Sequence, residues 1–259
     1  MKPIAFLSTA SLVALLASCQ TVNDEATAKP TPSAPSSAPA SKPAPLVVDL
    51  LKGDLSNNWR GFKSQEVPLG WTLADGVLTF VPPTKAERAE AQAAGRKAGG
   101  DLVSIPTFDD FELNMEWKIT KGGNSGIFVR ANEQFGKPWH SSIEIQILDH
   151  TGVDMNNPKQ ALHNAGAIYD LYPAHPNSFV PVGEWNKVKI RMVGTKVTVT
   201  QNGQLVADID MSSEDYQTRF KGSKFQRIAP QSGSFPSGFI GLQDHGGECS
   251  YRNISVTKL

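Results

Sequence analysis

Three short segments of the sequence place polar, chemically versatile side chains at alternate positions. In residues 142–148, Glu144 and Gln146 alternate with three isoleucines. Successive side chains of a β-strand point to opposite faces, so the isoleucines would enter a core and the two polar groups would share the other face. Residues 124–130 and 239–245 alternate in the same way. The predicted polar face carries Asn124, Phe128, Arg130, Glu144, Gln146, Gln243 and His245.

Such a face suits a sugar. Amides and carboxylates hydrogen-bond to neighbouring hydroxyl groups, and rings such as Phe128 and Trp139 can stack on sugar C–H groups. The alternative is a solvated sheet face, which is usually richer in Lys, Glu and Thr. An ordinary glycosidase needs two carboxylates beside the glycosidic bond. Here Gln146 cannot ionise and Asp149 has a short side chain, which argues against that mechanism.

The elements that must position these residues are short strands from residue 46 onward. Residues 111–119 alternate apolar and polar without a break, and the pairs Asp75-Gly76 and Asn202-Gly203 are hairpin turns. Eight or more such strands predict an all-β, two-sheet antiparallel jelly-roll sandwich. Two segments, 83–99 and 212–221, predict one or two short helices.

The N-terminus is predicted to be a targeting segment. Residues 1–18 combine a positive start, an apolar stretch and small residues before Cys19, the pattern of a bacterial lipoprotein signal in which that cysteine is lipidated. An ordinary secretory signal is the alternative. Residues 19–45, rich in Ala, Pro and Ser, predict a disordered tether, and 46–259 the folded domain. With Gln20 after the cysteine, we expect a lipid-anchored protein of the bacterial envelope, at the outer membrane facing the periplasm or the surface.

The composition limits the kinds of partner that the protein is expected to bind. The 259 residues carry 25 Lys and Arg against 25 Asp and Glu, so the balanced charge argues against nucleic-acid binding. The membrane would be reached through the lipid anchor only. The second cysteine, Cys249, is expected to be a small buried side chain.

Several motifs in order resemble the 3-keto-disaccharide hydrolase domain family, also described as 3-keto-glycoside 1,2-lyase or 3-keto-2-hydroxyglucal hydratase. They lie at residues 57–62, 70–78, 122–130, 144–149, 165–173, 223–225 and 241–246. The resemblance spans about residues 46–259 and implies a concanavalin A-like jelly roll. Two features depart from the family pattern. Residues 83–99 are inserted, where they could cap the sugar face, and the loop after Asp149 begins with His150.

The resemblance implies a reaction built on a ketone at sugar C3. The ketone acidifies the C2 proton, so a base can remove it, the aglycone leaves C1 by β-elimination, and water adds to the resulting 2-hydroxyglucal. The catalytic residues expected are His245 as base or acid, Glu144 as its partner, and Arg130 as the electrophile for the enolate. Lys224 is a second candidate for the electrophile.

The remaining expectations concern ligands. Substrate contacts are expected from Asn124, Gln146, Asp149, Asp170, Lys224 and Gln243. A divalent metal is a possible cofactor, with Asp149, His150, Glu144 and His245 as ligands, although no compact metal motif is present. No nucleotide fingerprint occurs, so a separate oxidoreductase must supply the C3-oxidised substrate. Three alternatives remain: a non-catalytic carbohydrate-binding lipoprotein, an ordinary glycoside hydrolase of the same fold, and a structural outer-membrane partner protein.

Overall fold

The computed structural model describes residues 45–259, so the predicted signal peptide, Cys19 and nearly all of the tether lie outside the described residues. The strands are β1 (Val47–Asp49), β2 (Trp59–Gly61), β3 (Trp71–Ala74), β4 (Val77–Phe80), β5 (Leu102–Phe108), β6 (Phe111–Ile119), β7 (Asn124–Ala131), β8 (Ile143–Leu148), β9 (Asn186–Val193), β10 (Lys196–Gln201), β11 (Gln204–Asp210), β12 (Gly238–Leu242) and β13 (Cys249–Lys258). The helices are α1 (Leu55–Asn58), α2 (Lys85–Ala93), α3 (Pro158–Ala161), α4 (Glu214–Gly222) and α5 (Phe225–Ile228), with a 3-10 turn at Pro138–His140. Across residues 45–259, none of these helices has the length and apolar character needed to span a bilayer.

The strands form two antiparallel sheets. The first has the order β11-β10-β9-β6-β13-β4-β3, with β1 also paired to β13, and the second has the order β2-β5-β12-β7-β8. The prediction of an all-β, two-sheet antiparallel jelly roll is confirmed. The two nine-residue helices, α2 and α4, fall in the two predicted segments, and three four-residue helices were not predicted.

The core lies between the sheets. Along β6 every second residue from Phe111 to Ile119 is buried, as the alternation predicts. From the opposite sheet, Ile143, Ile145 and Ile147 of β8 enter the same core with at most 2% exposure. The apolar faces of both sheets are thereby removed from water, which is the main stabilising contribution in a sandwich. The other face of the second sheet is left for polar groups.

That outer face is partly covered by chain outside the sheets. The segment around Ala167 runs along the free edge of β8: Gly166 N donates to Gln146 O at 2.8 Å and Tyr169 N donates to Glu144 O at 3.0 Å. The same segment brings the Tyr169 side chain over the sheet. Polar residues of β8 therefore lie at the bottom of a cleft instead of on an open surface.

The inserted segment forms a capped helix. Thr84 and Glu87 make a capping box at the start of α2, and Ala91 is its one buried residue. Residues beyond the helix pair with Leu69, since Leu69 N donates to Lys97 O and Gly99 N donates to Leu69 O. The strand that follows, β5, belongs to the second sheet, and alternation alone did not predict it there. It places Asp101 beside β12.

Candidate active site

A cleft of about 190 Å³ opens over the outer face of the second sheet. Its polar floor and its aromatic wall come from different elements. The lining residues are Asn124, Trp139, Glu144, Gln146, Tyr169, Lys224, Phe225, Ile228, Gln243 and His245. Six of the nine sequence-predicted catalytic and binding residues therefore meet here: Asn124, Glu144, Gln146, Lys224, Gln243 and His245.

Glu144 lies on the floor of the cleft and is 8% exposed. Burial raises the pKa of its carboxyl group to about 7, although the Lys224 charge and the Gln243 side chain oppose the rise and the Asp101 charge adds to it. Glu144 pairs with Phe128 across β7 and β8, and its carboxyl group extends over Gly126. A carboxyl group with this pKa can both take and give a proton near neutral pH.

Gly126 makes the space that Glu144 occupies. A Cβ atom at Gly126 would lie 2.5 Å from Glu144 Oε1. The φ of Gly126 is outside the left-handed region, so the backbone itself accepts alanine. The absence of a side chain is therefore required by the carboxyl group and not by the strand.

Gly126→Ala is expected to lower kcat by roughly 10- to 100-fold, because it displaces the Glu144 carboxyl group by a fraction of an ångström to an ångström. The measurement is steady-state turnover on a 3-keto-disaccharide, together with a thermal melt. Gly136→Ala is the matched control, since its Cβ would meet only His140 Cε1 at 4.0 Å. Wild-type kcat in Gly126→Ala would show that the position of the Glu144 carboxyl group over Gly126 does not matter for turnover.

Lys224 provides the positive charge of the cleft. Its Nζ donates to Tyr169 Oη at 3.2 Å and lies 4.2 Å from the Tyr169 ring centroid. Its backbone N donates to Asp170 Oδ2 at 2.9 Å, while Asp170 Oδ1 and His163 Nε2 are 2.9 Å apart. Lys224 is exposed and lines the cleft, so its ammonium group can reach a ligand bound there.

Three amides complete the floor. Gln146 Nε2 donates to Asn124 Oδ1 at 3.4 Å, whereas Gln146 Oε1 and Gln243 Oε1 are buried without a protein partner. Buried amide oxygens are costly unless water or a ligand donates to them. Gln146 and Gln243 both line the cleft, and amide side chains are suited to hydrogen-bond with sugar hydroxyl groups.

His245 lies at the exposed rim, just beyond the end of β12. The preceding residue anchors the loop: Asp244 Oδ2 accepts from Gly100 N at 2.7 Å and Asp244 Oδ1 accepts from Gly246 N at 3.0 Å. The end of the inserted segment is thus tied to the loop that carries His245. No residue of 83–99 lines the cleft, so the insertion does not cap it in this conformation.

The prediction that Arg130 shares this face is wrong. Phe128 and Ala131 of β7 are three residues apart, but their partners on β12, Gly241 and Phe239, are only two apart. β7 therefore contains a bulge, and beyond it the side chains point to the opposite faces from those that simple alternation predicts. Arg130 has φ 56° and is 3% exposed. Its Nε donates to Asp109 O at 2.9 Å and its Nη1 to Gly194 O at 2.7 Å, so it joins two hairpin turns away from the cleft.

Arg130→Ala is therefore expected to lower the free energy of unfolding by roughly 1–3 kcal/mol, because the buried guanidinium group donates the charged hydrogen bonds that hold the Asp109 and Gly194 carbonyl groups together. The kcat of the folded fraction should stay within about twofold of wild type. Chemical denaturation and active-site-normalised turnover measure the two effects. A large loss of kcat with unchanged stability would restore Arg130 to the reaction.

Asp149, Asp170 and Phe128 also lie outside the cleft lining. Asp149 accepts from Gly122 N and Thr151 N, and these hydrogen bonds lower the pKa of its carboxyl group, so it fixes a turn. Asp170 positions Lys224, as described above. Phe128 is fully buried against Gly241 and has no surface to offer a sugar. These three residues were predicted to face a ligand, either from strand alternation or from the family resemblance. In the structure they instead support the elements around the cleft.

Of the four residues expected to bind a metal, Glu144 and His245 line the cleft, whereas Asp149 and His150 lie outside its lining. Both carboxylate oxygens of Asp149 accept backbone hydrogen bonds, and the His150 ring packs on Phe179 at 4.2 Å. In the part of the chain that the structure describes, no three His, Cys, Asp or Glu side chains come together as a metal site. As a set, these four residues do not fit a metal centre.

Sequence reasoning missed Tyr169, Phe225 and Ile228, which form the wall around Lys224. Tyr169 and Phe225 come from the segments 165–173 and 223–225, which have no strand alternation but are among the motifs that resemble the family. Ile228 lies three residues after the second segment, at the end of α5, and no sequence signal points to it. Cys249, by contrast, is buried as expected, and burial raises the pKa of its thiol to about 12.

A two-sheet jelly roll with a sugar-sized polar cleft on one sheet defines a carbohydrate-active class of protein. Residues 47–257 match the family model described as the 3-keto-alpha-glucoside-1,2-lyase-like domain. The chain belongs to this family, and the resemblance and the prediction of an enzyme are both confirmed.

Relatives agree with this assignment. A protein of Bacteroides thetaiotaomicron named 3-keto-disaccharide hydrolase is 34% identical over 232 residues, which is 82% of this chain and 78% of the relative. Two crystal structures of candidate glycosyl hydrolases from Parabacteroides distasonis share the fold. The first has a TM-score of 0.69 and 23% identity, covering 82% of this chain and 94% of its own. The second has a TM-score of 0.54 and 25% identity, covering 78% and 99%.

Proposed function

We propose that this protein cleaves 3-keto-disaccharides by removing the C2 proton, eliminating the aglycone from C1 and adding water to the product. The observation that carries the proposal is the single carboxyl group, Glu144, in a cleft otherwise lined by amides, Lys224, His245 and apolar side chains. The name of the B. thetaiotaomicron relative supports the same substrate class.

The positions of three residues suggest their roles. Glu144, on the floor, takes the C2 proton. Lys224, on the wall, stabilises the enolate oxygen that forms from the C3 ketone. His245, at the rim, donates a proton to the aglycone oxygen as the C1–O bond breaks, because the aglycone leaves toward solvent. Hydration returns one proton to C2 and a hydroxyl group to C1, so the sum is hydrolysis.

Direct hydrolysis is the competing reaction. It requires a second carboxyl group about 5–10 Å from the first across the scissile bond. Within residues 45–259, the cleft lining contains one carboxyl group, and position 146 on the same strand is an amide. An ordinary glycosidase mechanism therefore lacks its second group here.

The proposal is tested by offering purified protein 3-keto-cellobiose and 3-keto-trehalose beside the two unoxidised disaccharides. Release of 3-ketoglucose from an oxidised substrate alone supports the proposal. Comparable cleavage of an unoxidised disaccharide would reject it in favour of direct hydrolysis. An oxidoreductase acting at C3 of the glycoside would have to supply the substrate.

We also propose that the enzyme is lipid-anchored in the bacterial envelope through Cys19, as the pattern of residues 1–18 indicates. Cys19→Ala is expected to release the protein into the aqueous phase after detergent partition, whereas wild type follows the detergent. Mass spectrometry of the mature N-terminus gives the direct readout. Unchanged acylation or membrane fractionation in Cys19→Ala would reject the anchor.

A further inference from the structure

The register of the second sheet places another carboxyl group on the outer face of that sheet, behind the residues that line the cleft. Leu102 pairs with Leu242, and Leu242 pairs with Ile127; all three are fully buried in the core. One residue further along each strand the side chains must point the opposite way. Those residues are Asp101, Gln243 and Gly126.

This row of residues ends at the floor of the cleft. Gln243 N donates to Gly126 O at 2.9 Å, and Gly126 pairs with Gln146 on β8. The Glu144 carboxyl group lies over the same glycine. Gln243 therefore stands between Asp101 and Glu144. Asp101 itself does not line the cleft, so it makes no contact with a ligand there.

The surroundings of Asp101 hold it in place. Its Oδ1 accepts from Asp244 N at 3.1 Å. Burial raises the pKa of Asp101 to about 6, and the Asp244 charge adds to the rise, whereas the Asp244 hydrogen bond, Lys137 and Lys97 oppose it. The groups that act on Glu144 are Lys224, Asp101 and Gln243, with His245 at the rim of the same cleft. Asp101 supplies the negative charge among them.

We propose that Asp101 is a positioning residue that acts through the charge it holds behind Gln243 and makes Glu144 a stronger base toward the C2 proton. The inference rests on the proposed function, since it concerns the proton that Glu144 accepts. Two carboxyl groups on one buried face raise each other's proton affinity. A base with higher proton affinity removes a carbon-bound proton faster, as Brønsted behaviour requires.

Asp101→Asn is the test, because Asn keeps an oxygen to accept from Asp244 N and removes only the charge. The acidic limb of the kcat/KM profile should move to lower pH by roughly half a unit or more. The limiting kcat should fall about twofold to threefold with KM close to that of wild type. Glu116→Gln, on the outer side of the other sheet, makes the same change in net charge and should move neither quantity.

A titration without substrate separates this inference from the proposed function. Carboxyl ¹³C shifts of labelled Glu, with Glu144→Gln to assign the resonance, give the Glu144 midpoint in wild type and in Asp101→Asn. A lower midpoint in Asp101→Asn supports the inference even if no 3-keto substrate is cleaved. An unchanged midpoint in a variant with wild-type melting temperature overturns it, whether or not the enzyme acts on 3-keto-disaccharides.

Discussion

Glu144→Gln is expected to lower kcat on a 3-keto-disaccharide by roughly 10²- to 10⁴-fold, the range for loss of one general acid–base group. Gln has the same shape and remains able to hydrogen-bond, so KM should change little. Stopped or continuous assays of 3-ketoglucose release measure the loss. A variant with more than a tenth of wild-type kcat would show that another group takes the C2 proton.

The same substitution should stabilise the fold at neutral and alkaline pH. The pKa of Glu144 in the folded protein is about 7, above its ordinary value of 4.5, so the folded state binds the proton more tightly. The free energy of unfolding of wild type therefore falls as pH rises from about 4.5 to 7. Glu144→Gln removes this loss, a gain on the order of 3 kcal/mol at pH 8 and none at pH 4.

Glu116→Gln is the matched control on the other sheet. Burial raises the pKa of Glu116, but hydrogen bonds from Arg252 at 2.8 Å and Asn253 at 3.1 Å outweigh burial and hold the pKa below its usual value. The substitution should therefore destabilise the protein by roughly 1 kcal/mol at pH 8 and leave kcat unchanged. Opposite signs of the stability change in the two variants separate a functional carboxyl group from a structural one.

His245→Ala is expected to lower kcat by roughly 10²- to 10⁴-fold as well, because the aglycone then leaves without a proton donor. The loss should be smaller for a good leaving group such as a nitrophenol, which needs little protonation. His245 is exposed, so the melting temperature should hold. Added imidazole should restore part of the rate through the open rim.

The control for His245→Ala is His175→Ala, which removes an imidazole outside the cleft and should keep wild-type kcat. An equal loss on good and poor leaving groups would assign His245 to another step. Unchanged kcat in His245→Ala would remove it from the reaction altogether.

Alternation predicted the parts of the site that lie on regular strand. Along β8 the three isoleucines are in the core and Glu144 and Gln146 are in the cleft. The same rule located Gln243 at the end of β12. The backbone of a β-strand makes successive side chains point to opposite faces, so the prediction holds wherever the strand is regular.

The rule failed where the backbone departs from it. Arg130 sits in the bulge of β7 with φ 56°, and nothing in the residue types of 124–130 indicates that one residue is left unpaired there. In the proposed mechanism the electrophile is Lys224, which was the second candidate. Its position depends on α5 and on Asp170, and neither follows from strand periodicity.

Long-range register accounts for the residues that sequence reasoning missed. Asp101 reaches the polar face because β5 pairs with β12, and that pairing joins residues about 140 positions apart. Tyr169 reaches it because a segment without alternation adds to the edge of β8. Contacts of this kind are set by the packing of the whole sandwich, so a local pattern does not contain them.

The most direct test of the proposed chemistry is cleavage of a 3-keto-disaccharide in D₂O, followed by mass spectrometry and NMR of the released sugar. Elimination and hydration predict one solvent deuterium at C2 of 3-ketoglucose, formed at the rate of cleavage. A parallel incubation of preformed 3-ketoglucose corrects for exchange of the product. Cleavage that leaves protium at C2 would contradict elimination and would require the glycosidic bond to be broken by direct hydrolysis.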